Sequence, residues 1–140
     1  MRARSTPGVV AGLALLLLLI WPALSGCQFA QSSFASTASS AGSAFSAAAT
    51  TLTFLHQGRL SRRYAASSFV NFKAELAGLD RQLPTLNGAP GKATLRHLLV
   101  LYRPAMQAVN APCLDMACDW QAQIDALNRA SKAFLGAGGS

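Results

Sequence analysis

Apolar residues recur three and four positions apart in four successive stretches of this chain, and proline or glycine separates most of those stretches. Phe34, Ala38, Ala41, Phe45, Ala48, Leu52 and Leu55 are spaced 4, 3, 4, 3, 4 and 3. Phe69, Phe72, Leu76, Leu79 and Leu83 follow at 3, 4, 3 and 4. Leu95, Leu98, Leu99, Tyr102, Met106 and Val109 share a face, and Ala117, Trp120, Ile124, Leu127, Ser131 and Phe134 repeat at 3, 4, 3, 4 and 3. This period places one apolar stripe along an α-helix. No segment alternates with period two for long enough to make a strand. The expectation is an all-α fold, a small antiparallel four-helix bundle. Three helices with a loose first one is the alternative.

The boundaries are written in breakers and caps. Ala, Ser, Thr or Gly fill 19 of the 22 positions from Ala30 to Thr51. Ser and Thr are poor helix formers, and Gly42 is worse. The sequence therefore predicts a flexible tether over 27–43 and a helical domain over 44–140. The first helix runs from Ala44 to His56, reaching back to Ser33 if a partner face stabilises it. A second helix is predicted over Ser61–Leu83, ended by Pro84. A third covers Lys92–Asn110, with Pro104 either kinking it or starting a separate segment. A fourth is predicted over Asp115–Leu135, with Asp115 as its cap and Gly136, Gly138 and Gly139 beyond its end.

The N-terminus has a different character. Arg2 and Arg4 precede a run of 16 almost wholly apolar residues, Val9 to Leu24, followed by small Ser25 and Gly26. That is the layout of a secretory signal over residues 1–26, and it is shorter than a membrane span needs. Its end, Leu24-Ser25-Gly26-Cys27, resembles the lipobox of bacterial lipoproteins. The resemblance covers only the first fifth of the chain. It implies cleavage behind Gly26 and a diacylglycerol thioether on Cys27. It also implies a place in the bacterial cell envelope, lipid-anchored on the outer side of the cytoplasmic membrane or in the outer membrane facing the periplasm. Gln28 is not the Asp that retains enteric lipoproteins at the inner membrane.

From Cys27 onward 114 residues remain, with 10 basic and 5 acidic side chains, a net charge of +5. One domain of this size buries a core. With Cys27 taken by lipid, Cys113 and Cys118 remain as a pair, in a compartment where disulfides persist. On one continuous helix, positions five apart differ by about 140°. A bond between them therefore needs a turn, and Pro112 supplies the break. C-x4-C matches neither a C-x-x-C redox motif nor a common zinc spacing.

Other chemistry is sparse. Residues 27–140 hold one glutamate, Glu75, and four aspartates. A ferritin-like di-iron centre needs several glutamates and Glu-x-x-His pairs, so that class is excluded. No nucleophile elbow, phosphate-binding loop or dinucleotide fingerprint is present. No enzyme activity, cofactor or resident metal is expected, and no nucleic acid partner. His56 and His97, with Met106 or Met116 as soft donors, are the residues a haem or copper site would have to use. Arg59, Arg62 and Arg63 are the one concentrated charge, suited to an anionic surface, an envelope polymer or an acidic protein partner. The functional expectation is a membrane-tethered, non-catalytic interaction module. Its partner is the membrane through the lipid, then an envelope protein, a polymer or a second copy. The alternative is a bundle that binds a small apolar or haem-like ligand.

Overall fold

The computed structural model describes residues 32–139. The signal region 1–26, the lipobox and Cys27 lie outside them. The described chain is all-α, with four helices of three or more turns and no strand. These are α1 (Ser33–His56), α2 (Arg62–Leu76), α3 (Lys92–Asn110) and α4 (Trp120–Gly138). A single helical turn (Leu79–Gln82) and a 3-10 turn (Leu83–Thr85) lie between α2 and α3. Each helix packs against its two neighbours in order around the bundle, α1 closing on α4. No helix among the described residues is long and apolar enough to cross a membrane.

The four stripes meet in one core. Phe45, Leu52, Leu76, Leu83, Leu98, Val109, Leu127 and Phe134 are all fully buried. Phe45 lies at its centre, edge-on to Tyr102 and Phe134 at 5.9 and 5.7 Å between ring centroids. Edge-to-face pairs of this kind add about 0.5–1.5 kcal/mol beyond area burial. Phe34 is also buried and belongs to this core. Tyr64, in the first turn of α2, is 61% exposed.

α1 begins at Ser33, the reach expected if a partner face stabilises it, so the helix takes in residues 33–43 of the predicted tether. The Ser/Ala-rich stretch is a packed helix whose small residues let a second backbone approach. A Cβ at Gly42 would stand 2.8 Å from the backbone nitrogen of Leu135. One at Gly138 would stand 2.8 Å from the carbonyl oxygen of Ala35. The Ser131 hydroxyl donates to the Gly42 carbonyl at 2.8 Å, filling the seam with a satisfied polar group. The antiparallel sense of α1 and α4 follows from these pairs. Ser32 caps α1, its hydroxyl accepting from the Ala35 amide at 3.1 Å.

Three other boundaries differ from expectation, among them the end of α4, which runs three residues past the predicted Leu135 to Gly138. The predicted second helix is broken after Leu76, where Gly78 takes a φ of 79° that a side chain would strain. The carbonyl this break leaves at Leu76 accepts from the Tyr102 hydroxyl at 3.0 Å. α4 starts at Trp120, five residues after Asp115, and its cap is Asp119, whose carboxylate accepts from the Ala122 amide at 2.9 Å. Pro104 lies inside α3 and does not start a separate segment, although it has no N–H to donate to the Val100 carbonyl. α3 is one helix from Lys92 to Asn110, and Pro104 sits on its exposed face.

Candidate functional site

The side chains that carry chemistry gather at one end of the bundle, where α1 ends, α2 begins and residues 111–119 lead into α4. Cys113 and Cys118 sit at disulfide-bonding distance there, with Cα atoms 5.8 Å apart. Pro112 ends α3 and the turn follows, as the spacing required. Cys118 lies before α4, not in its first turn.

Three helices hold this loop. Gln123 of α4 clamps it from one side: its Oε1 accepts from the Cys113 amide at 2.8 Å, and its Nε2 donates to the Ala111 carbonyl at 3.0 Å. His56, the last residue of α1, holds the other side. Its Nε2 lies 2.8 Å from the Cys113 carbonyl oxygen. A carbonyl only accepts, so Nε2 carries the proton. The His56 ring stacks on Trp120 with centroids 4.4 Å apart. Its second nitrogen, Nδ1, lies 3.3 Å from the Met116 sulfur. From α2, Arg62 reaches Asp115 with two nitrogen–oxygen distances, 2.7 and 3.1 Å.

The arginine cluster is thus divided by the fold. Arg62 is paired with Asp115 in the disulfide loop, four residues before the α4 cap. Arg59 lies over the Phe54 ring, 4.1 Å from its centroid. Arg63 makes no ion pair among the described residues. His97 is exposed on α3, and Met106 is half-buried on the same helix. No group of three or more His, Cys, Asp or Glu side chains placed to hold a metal occurs among the described residues.

An open groove of about 620 Å³ runs along the outer side of α1 and α2. Ser43, Ser46 and Thr50 line it from α1, and Tyr64, Asn71 and Phe72 from α2. No charged side chain lines it. Sequence reasoning did not find this groove, because apart from Phe72 its lining residues lie off the apolar stripes. Nor did it find Gln123, a helix-surface glutamine whose partners lie in the preceding loop.

Fold and site together define a small four-helix bundle with a disulfide loop locked onto one end. No known family model matches the chain, and no curated protein or solved structure matches it.

Proposed function

We propose that the chain is a membrane-tethered envelope lipoprotein acting as a non-catalytic helical interaction module. The observation that carries this reading is the Leu24-Ser25-Gly26-Cys27 motif behind a basic start and an apolar run. A lipidated Cys27 stands five residues ahead of Ser32, where the packed domain begins. Fully extended, that linker reaches about 18 Å. The tether is short, and it enters the domain at the start of α1.

That geometry bears on the arginines. The 24 residues of α1 are about 36 Å long. Arg59, Arg62 and Arg63 follow the end of α1 opposite Ser33. They suit an anionic surface, an envelope polymer or an acidic protein partner. The uncharged groove beside α1 and α2 suits a partner helix with small side chains. Recognition there depends on shape, and a charge placed in it blocks association.

The test is expression of the full chain in a bacterial host, with intact mass and membrane fractionation. A diacylglyceryl mass on Cys27 is expected, and Cys27→Ala releases the protein from the membrane. A retained, unlipidated residue 1–26 segment sinks the reading. For the interaction itself, in-cell cross-linking from the groove is compared between the native chain and Ser46→Arg. A cross-linked species that persists unchanged in Ser46→Arg argues against the groove.

A further inference from the structure

We propose that His56 and Met116 form a two-donor site for a soft monovalent cation, copper(I) or silver(I), where α1 meets the disulfide loop. The inference rests on the two contacts of the His56 ring. Nε2 of His56 donates to the Cys113 carbonyl at 2.8 Å, so in the neutral ring Nδ1 presents a lone pair. That lone pair faces the Met116 sulfur at 3.3 Å. A thioether has no proton to give, so two electron-rich atoms meet with no hydrogen between them. A cation resolves that arrangement.

The donors fit such an ion. Thioether sulfur selects copper(I) among biological metals, and imidazole nitrogen suits copper. With metal–nitrogen and metal–sulfur bonds of about 2.0 and 2.3 Å, donors 3.3 Å apart subtend about 100° at the ion. That is an ordinary angle for a three-coordinate d10 centre. Zinc, which wants four nitrogen, oxygen or thiolate donors, is not served by one imidazole and one thioether.

The surroundings match what a ligating histidine needs. Its other nitrogen is bound to a backbone carbonyl, which fixes the tautomer and raises ligand basicity. Stacking on Trp120, with planes 8° from parallel, fixes the ring's orientation. Met116 is 77% exposed. Its flexible chain swings the sulfur to one side of the lone pair to admit the ion. The outer coordination position faces solvent, open to water or to a donor from another molecule. Such a site is suited to exchange and not to permanent storage.

The test is silver(I), a redox-inert probe, titrated into the full chain in mild detergent and chloride-free buffer. Free thiols are first capped with N-ethylmaleimide, which removes Cys27 as a competitor and leaves the disulfide intact. Methionine is labelled with ¹³C at the methyl group. The expected result is saturation at one equivalent, with the Met116 methyl signal shifting and that of Met106 unmoved. Met116→Leu, a change at an exposed position that leaves the fold in place, weakens binding by about tenfold or more. His56→Ala does the same, and His97→Ala leaves binding unchanged. An unmoved Met116 methyl overturns the proposal. Equal silver affinity in Met116→Leu overturns it as well.

Discussion

His56 and Trp120 stack face to face, their centroids 4.4 Å apart and their planes within 8°, and so join the last turn of α1 to the first turn of α4. The same histidine bonds the backbone of Cys113, so one side chain ties both flanks of the disulfide loop. Removing it costs a hydrogen bond and a ring contact. His56→Ala is expected to lower stability by about 1–3 kcal/mol, read as a shift in the urea midpoint. An unchanged midpoint would mean that Gln123 and the disulfide hold the loop without it.

The disulfide closes a very short loop, so its contribution through the unfolded chain is small, about 2 kcal/mol. Its larger effect is local, because Met116 and Asp115 reach α1 and α2 from inside that loop. The Cys113→Ser, Cys118→Ser double variant is expected to remain helical by circular dichroism while amide exchange in residues 111–119 speeds up. Global loss of helix would show that the loop organises the whole bundle.

Much of this architecture is legible in residue spacing. The stripes named Phe45, Leu76, Leu98, Leu127 and Phe134 as core, and all are buried. The failures have identifiable causes. Helix propensity alone placed the first helix start at Ala44, because Ser and Thr score badly one residue at a time. What overrides them is a seam of Ala and Gly against α4, almost a hundred residues away in sequence. The break at Gly78 hides because Leu76 and Leu79 keep helical spacing across it. Asp115 and Asp119 both read as local caps, but Asp115 lies inside the Cys113–Cys118 turn, so Asp119 is the cap. The pairing of His56 with Met116 has no local signal, since 60 residues separate them.

The pair of Arg62 with Asp115 is bidentate and solvent-exposed, with side-chain exposures of 65% and 56%. Exposed pairs contribute little, so a double-mutant cycle with Arg62→Gln and Asp115→Asn is expected to give a coupling of about 0.2–1 kcal/mol that fades with added salt. A coupling insensitive to salt would contradict this picture of the corner.

Tyr102 makes stability depend on alkaline pH. Burial pushes its phenol above the usual range, and the negative charge of Asp80 adds to the shift. The unfolded chain therefore loses that proton first. The stabilisation is complete below about pH 10 and is lost as pH rises through the higher folded value. Tyr102→Phe is expected to flatten this part of the pH profile. It also costs about 1–3 kcal/mol at neutral pH, because the Leu76 carbonyl loses its donor. A Phe variant with unchanged alkaline sensitivity would assign the effect to another group.

The α1–α4 seam gives the sharpest mechanical prediction. Ala is the better helix former, so on propensity alone Gly→Ala within a helix stabilises by about 1 kcal/mol. At Gly138 the new methyl carbon would stand 2.8 Å from both the Ala35 carbonyl oxygen and the Ser39 amide nitrogen. These are backbone atoms that cannot turn aside, so the helices must part. Overpacking of this kind costs about 1–3 kcal/mol, which outweighs the propensity gain. Gly136 is the internal control, since nothing lies within 4 Å of a Cβ built there. Gly138→Ala is expected to lower the urea midpoint, while Gly136→Ala holds or raises it. If both variants stabilise, α1 and α4 do not approach as closely as described, and the Ser/Ala-rich stretch reverts to a tether.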